Sequence, residues 1–148
     1  MALLSRKTVL AVEAVLDIAY NGGERAVQSG EIAGRLNIPQ RYLEPVLQEL
    51  VRNGLLVGVR GPRGGYRLGR ERRLISLGEI ASLVMALEER GEGADNAGSE
   101  LGRAVVRPAL ADLERDWLAK LNTITIEDMV VRARAAGVRS RAAVDFTI

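Results

Sequence analysis

The run Gly61-Pro62-Arg63-Gly64-Gly65-Tyr66-Arg67-Leu68 constrains the fold of this chain more than any other stretch. Three glycines and one proline within five residues demand a tight turn of unusual backbone shape. Leu55 to Val59 reads as a strand before it, and Tyr66 to Leu68 as the hairpin partner. Arg60, Arg63 and Arg67 surround the turn. A glycine-rich tip flanked by arginines suits the minor groove of DNA, where a narrow groove concentrates negative potential. A solvated hairpin whose arginines bind nothing fits the turn alone equally well, so the upstream sequence has to decide.

Upstream lies a helix-turn-helix pattern. Gln28 to Leu36 reads as a short helix with Ile32, Ala33 and Leu36 on one apolar face and Gln28 or Ser29 as its cap. Asn37-Ile38 makes the break, and Pro39 suits the start of a second helix. That helix places Tyr42, Leu43, Val46, Leu47 and Leu50 on its buried side and stops at Asn53-Gly54. Two helices, a turn and a hairpin form a winged helix-turn-helix. In that arrangement the second helix enters the major groove with its N-terminal residues nearest the bases. Those residues are Gln40, Arg41 and Glu44. Arginine pairs with guanine, glutamine with adenine, and glutamate accepts from cytosine. Ordinary solvent-exposed positions on a surface helix are the competing reading. Pro45, inside this helix, removes a backbone donor and crowds the Arg41 carbonyl at a cost of about 3 kcal/mol. A bend between Arg41 and Pro45 is expected.

With these residues in view, the chain resembles the IscR-like winged-helix transcription regulators, a bacterial family that includes NsrR and CymR. The matching segments include Arg41-Tyr42-Leu43-Glu44, Asn53-Gly54-Leu55-Leu56, Val59-Arg60-Gly61-Pro62-Arg63-Gly64-Gly65-Tyr66-Arg67-Leu68, Ile75-Ser76-Leu77-Gly78-Glu79-Ile80 and Ile124-Thr125-Ile126-Glu127-Asp128-Met129. The likeness runs from near the start to about residue 135. The resemblance implies a dimeric DNA-binding regulator. Its major-groove roles fall to Arg41 and Glu44, and its minor-groove role to Arg63. The family pattern often has glutamine where Pro45 stands and serine near Arg41, so base preference does not carry over. Many relatives hold an iron–sulfur cluster with three cysteines in the loop before the long helix. This chain has no cysteine and no histidine. Thiolates hold such clusters, with histidine as the usual substitute, so a family-type cluster is excluded and no cofactor is expected. Zinc and haem sites with their usual ligands go the same way. The corresponding stretch, Glu88 to Glu100, is acidic and rich in glycine; its oxygens suit a divalent cation in principle, and a plain acidic loop is the favoured reading.

Charge is distributed unevenly. Residues 1–75 hold 12 Lys and Arg against 7 Asp and Glu, whereas residues 76–148 hold 9 against 12. The basic half is the one with the helix-turn-helix, as phosphate contact requires. Arg70, Arg72 and Arg73 extend this footprint as candidate phosphate or solvent contacts. Ser5, Arg6 and Lys7 open an amphipathic helix, Lys7 to Asn21, whose first backbone donors suit a phosphate. Its inward residues are read as Val9, Val12, Leu16, Ala19 and Tyr20.

The fold class is therefore mainly α (α+β), a winged helix-turn-helix domain with a long dimerisation helix. Residues 1–75 form the DNA-binding domain, 76–135 a linker helix, acidic loop and dimerisation helices, and 136–148 a flexible tail ordered at most by packing on a partner. Ser76-Leu77-Gly78-Glu79 reads as a capping box opening a helix to about Glu88. A long helix from about Ser99 to Asn122 repeats Val106, Leu110, Leu113, Trp117 and Leu121 at seam spacing, so a partner subunit is expected, with an intrachain core as the rival explanation for Trp117. Pro108 marks a kink or the true start of that helix. No apolar run spans a membrane and no signal-peptide stretch opens the chain, so a cytoplasmic location is the default. A homodimeric transcription regulator, a repressor on double-stranded DNA, is the leading reading. A small-molecule or protein effector is left open. A winged-helix module that binds another protein is the alternative. No paired catalytic constellation supports an enzyme.

Overall fold

The computed structural model describes residues 4–92 and 98–141. Helix α1 spans Arg6–Gly22, α2 Ser29–Leu36 and α3 Gln40–Arg52. Strands β1, Leu56–Val59, and β2, Gly65–Leu68, pair antiparallel with Val59 opposite Gly65. Helix α4 runs Leu77–Glu92, α5 Arg107–Leu121 and α6 Ile126–Ala135. The break between α2 and α3 is made by Asn37 in the left-handed conformation, φ 57°, which asparagine tolerates better than most residues. Helix α3 continues through Pro45, which is exposed, so the proline does not end it. In the second turn the Arg41 carbonyl loses the Pro45 donor it would otherwise have.

A single hydrophobic core runs through both halves of the chain. Val15 and Ile18 of α1, Leu43, Leu47 and Leu50 of α3, Ile80 and Val84 of α4, and Ile126 and Val130 of α6 all belong to it. Each such aliphatic side chain contributes about 1.5–3 kcal/mol when fully removed from water. The inward face of α1 holds, with Ala19 in the core and Val12, Leu16 and Tyr20 packed against it, but its centre lies elsewhere, and one reading on α3 needs correction. The centre of the buried face of α1 is Ala11, Ala14, Val15 and Ile18, while Val9, Val12, Leu16 and Tyr20 lie at its half-buried edges. Small alanines there let neighbouring helices approach closely. Tyr42 is 59% exposed, not buried, because it lies at the rim of the stripe centred on Leu43 and Leu47.

The end of α4 departs from the expected reading. Helix α4 extends four residues beyond Glu88, to Glu92. Its terminal turns have distant partners: Ser5 Oγ donates to Glu88 Oε1 at 2.6 Å, and Arg90 Nη2 donates to Glu49 Oε1 at 2.7 Å. The middle of the acidic loop, 93–97 with Asp95, lies outside the described residues. Only half of the capping box at Ser76 forms. Ser76 Oγ accepts from the Glu79 backbone N–H at 3.1 Å, but the Glu79 carboxylate turns to Arg70. A complete box instead opens α6, with Thr125 and Asp128 bonding each other's backbone. Those hydrogen bonds hold the Asp128 carboxyl below its ordinary pKa.

The long helix begins at Glu100 and contains a π turn, Gly102–Val106, just before α5. The Arg107 N–H reaches back to the Gly102 carbonyl, five residues away. Pro108 explains the placement. It has no N–H to give the fourth residue before it, and the wider turn brings it to the second position of a fresh α-helical segment, where none is needed.

Candidate nucleic-acid interface

The wing owes its shape to close backbone contacts. Gly64 N–H donates to the Gly61 carbonyl at 2.9 Å, closing a turn over Pro62 and Arg63. A Cβ on Gly64 would lie 2.2 Å from the Val59 carbonyl oxygen. Gly65, at φ +149°, leaves its Cα hydrogen against Val27, where a Cβ would lie 2.4 Å from that residue's carbonyl oxygen. This closeness lets Val27 and Tyr66 exchange two backbone hydrogen bonds, at 2.9 and 2.8 Å. The hairpin is thereby fastened to the segment leading into α2. Arg60, Arg63 and Arg67 stand exposed on it.

At the start of α3, Gln40 Nε2 donates to Ser29 Oγ at 2.7 Å and to Glu44 Oε1 at 3.0 Å. The Gln40 amide is thus committed to fixing Glu44 against α2. Arg41 is exposed, with its guanidinium 5.1 Å from the centre of the Tyr42 ring. Tyr42 therefore joins the candidate surface; its aromatic character made it look like core, and no sequence signal separated the two. Glu44 also faces Tyr66. The phenol's pKa is raised, chiefly by burial and then by the Glu44 charge. The Glu44 charge of α3 thus acts on the wing's Tyr66.

The other basic candidates separate into two groups. Arg6 and Lys7 are exposed on the first turn of α1. Ser5 is the cap of that helix, accepting from Thr8 N–H at 3.1 Å while donating to Glu88, so its hydroxyl is already engaged. Arg67 borders a groove with Arg72 and Glu127, whereas Arg63 borders a different one with Gln28 and Arg141. Arg70, Arg72 and Arg73, the expected extension of the footprint, each have a carboxylate partner in the fold. Arg70 clasps Glu79 with two bonds, 2.6 and 3.0 Å, Arg72 pairs with Glu127, and Arg73 with Glu71 at 2.5 Å. Glu79 keeps the Arg70 guanidinium above its ordinary pKa. The first two of these pairs tie the wing's exit to α4 and α6.

Glu49 is a buried carboxylate of α3, 5% exposed. Arg90 and Arg52, with Asn53, surround it and hold its pKa below the ordinary value, the Arg90 hydrogen bond contributing most. It anchors α3 to the end of α4.

On α5 the expected seam faces solvent within the single chain. Leu110 and Leu113 are 59% and 63% exposed, Val106 is exposed, and Trp117 and Leu121 are half-buried. Val105 and Leu101 extend the apolar strip toward the start of the helix.

Two short helices, a wing pinned beside them and exposed arginines on both define the winged-helix class of DNA-binding regulators. Comparison with known proteins agrees. The family model for Rrf2, described as an iron-dependent transcriptional regulator, matches residues 4–132, and the chain belongs to this family. It is 34% identical over 139 residues to the transcriptional regulator IscR of Cronobacter sakazakii, covering 93% of this chain and 86% of that one. It is 35% identical to IscR of Klebsiella pneumoniae, over 86% of this chain and 78% of the relative. Among solved structures, IscR of T. potens superposes with a TM-score of 0.71 at 30% identity, covering 93% and 92% of the two chains. CymR, the global cysteine regulator of B. subtilis, shares the fold at TM-score 0.66 and 24% identity, over 89% and 98%.

The family description includes iron, and this chain does not supply the ligands for a cysteine-held cluster. It contains neither cysteine nor histidine. Among the described residues no three carboxylates gather as a metal site. Glu88, at the start of the acidic stretch, is bonded by Ser5. The donor set does not fit a thiolate-ligated cluster. Among the described residues, no helix is long and apolar enough to cross a membrane.

Proposed function

We propose that two copies of this chain pair along α5 and repress transcription by binding a two-fold symmetric DNA site without iron. In this reading α3 enters the major groove with Arg41 and Glu44 at the bases, and Arg63 at the wing tip enters the adjacent minor groove. The observation that supports it best is the pairing of two surfaces on one chain. Exposed arginines lie on α3 and on the rigidly seated wing, and an uncovered apolar strip of Val106, Leu110 and Leu113 lies on α5. A strip of this kind on so small a chain is covered when a second copy packs against it, and a symmetric dimer presents two reading helices about one DNA turn apart, roughly 34–36 Å.

The test is selection of binding sites from random duplex DNA with the purified, metal-free chain. Enrichment of an inverted repeat supports the reading, and its spacing gives the separation of the two half-sites. Absence of enrichment, with partners recovered after nuclease treatment, would favour the protein-interaction module instead. Within an enriched site, Arg63→Ala is expected to weaken binding most where the minor groove is narrow and A·T-rich. Arg41→Ala is expected to relax discrimination at one base step by about 1–3 kcal/mol. Equal losses on every sequence would reduce Arg41 to a phosphate contact.

A further inference from the structure

Beyond α6 the chain does not trail away. Gly137, at φ +76°, reverses its direction, and the Val138 N–H closes back on the Ala133 carbonyl at 3.1 Å. Residues 137–141, expected as the start of a flexible tail, then lie against the end of α1. Tyr20 donates its hydroxyl to the Val138 carbonyl, and Ser140 Oγ donates to the Tyr20 carbonyl at 2.5 Å. Arg141 N–H donates to Asn21 Oδ1 at 2.9 Å. These bonds deliver the Arg141 side chain to Glu31 in the first turn of α2. There it borders a groove that Gln28 and the wing residues Pro62, Arg63 and Gly64 also line. Arg141 and the wing's Arg63 thus line one groove.

We propose that this C-terminal arm is an additional DNA-contacting element, with Arg141 binding a backbone phosphate next to the wing. The inference rests on the DNA reading above and extends it to a part of the chain outside the winged helix. Glu31 holds Arg141 at the edge of the groove, but the pair is open to water, the two side chains being 52% and 33% exposed. Ion pairs of this kind are weak, so a phosphate can take over the guanidinium, whose five donors in a planar fork match phosphate oxygens. Glu31 has a second cation, Arg35, at 4.0 Å, and Arg35 is itself clasped by Asp17 at 2.7 and 2.8 Å. Release of Arg141 therefore leaves Glu31 still facing a positive charge. Arg139 and Arg141 are the charged residues of the arm among those described, and the groove they approach is also lined by Glu24 and Glu31.

The test uses the full chain and the duplex enriched by site selection, with affinity measured against salt. Removing one phosphate contact lowers the salt slope by about 0.9, so the affinity gap between wild type and Arg141→Ala should shrink about threefold between roughly 50 and 200 mM salt. Arg141→Lys should keep most of the slope. Glu31→Gln separates a DNA contact from a strut: it frees Arg141 and removes a negative charge from the groove, so binding should be unchanged or tighter. A wild-type slope for Arg141→Ala overturns the proposal. So do equal losses of affinity and of thermal midpoint in Arg141→Ala and Glu31→Gln. A wild-type chain that binds no duplex overturns the DNA reading itself, and the arm contact with it.

Discussion

Gly65→Ala tests whether the wing is held by backbone contact. The new Cβ would stand 2.4 Å from the Val27 carbonyl oxygen, 2.5 Å from its carbon and 2.8 Å from the Gln28 nitrogen. All three are backbone atoms, so no side chain can swing away, and the φ of +149° disfavours alanine independently. The hairpin must move off the Val27 segment. That breaks the two Val27–Tyr66 hydrogen bonds, each worth about 0.5–1.5 kcal/mol net. Keeping the bonds instead means bearing backbone strain of about 1–3 kcal/mol. The two routes place the loss at about 1–3 kcal/mol, a sizeable part of a normal folding free energy of about 5–15 kcal/mol. The control is Gly58→Ala in β1, where nothing lies within 4 Å of the added carbon. Urea melts should show Gly58→Ala within about 0.5 kcal/mol of wild type. Gly65→Ala should be lower by 1 kcal/mol or more, on the order of a 2–4 °C fall in midpoint per kcal/mol. Under the DNA reading, affinity at the wing's groove should fall with it even where the chain remains folded. Equal stability of the two variants would refute the reasoning.

Pro45→Ala restores an N–H for the Arg41 carbonyl at an exposed position and should stabilise α3 by about 1–3 kcal/mol; a lower thermal midpoint would contradict this. Glu49→Gln tests the buried carboxylate. Because Arg90 depresses its pKa in the folded state, the stability it adds is complete above the ordinary value of 4.5 and disappears as pH falls through the lower folded value. The gap in urea midpoint between wild type and Glu49→Gln should therefore close on acidification below about pH 4.5, and a gap that widens would reverse the sign of the argument. Gln40→Ala should alter base preference at the same step as Glu44→Ala, since its amide holds Glu44; a change at a different step in site selection would make Gln40 a reader in its own right. Leu113→Asp places a charge on the exposed strip of α5 and should leave the chain monomeric in sedimentation while its helical circular dichroism is retained; a dimer that persists would remove α5 from the interface.

Features that depend on special backbone shape were legible in the sequence. Asn37 and the Gly61–Gly65 run state their conformations through residue type, and the helix-turn-helix and wing follow from them. Helix faces were less legible where size misled. On α1 the large Val9, Val12 and Leu16 outweighed Ala11 and Ala14, although small residues mark where neighbouring helices come closest. On α3 the Tyr42 ring looked like core because it neighbours Leu43 in sequence, yet its place on the helix rim exposes it. The acidic stretch after Glu88 was misread for another reason. Its helical turns depend on Ser5 and Glu49, residues 83 and 41 positions away, and no local pattern announces such partners. The arm at 137–141 is the same case, since its bonds to Tyr20 and Asn21 cross about 120 residues.

Charge shows most clearly what a count omits. The first 75 residues carry an excess of basic side chains, and the count treats every arginine alike. In the folded chain, Arg35 belongs to Asp17, Arg52 to Glu49, Arg70 to Glu79, Arg72 to Glu127 and Arg73 to Glu71. Those pairs join α1 to α2, brace α3, and tie the exit of the wing to α4 and α6. Arg41, Arg60, Arg63 and Arg67 form no ion pair among the described residues, and all four are exposed on α3 or the hairpin. The unpaired charge therefore sits on α3 and the hairpin, whose turns are shaped by Asn37 at one end and by Gly64 and Gly65 at the other. A cation held in place without a carboxylate beside it gives up little hydration or pairing energy when it meets a phosphate or a base edge. That combination, rather than the mild net charge of +2, is what suits this surface to a polyanion.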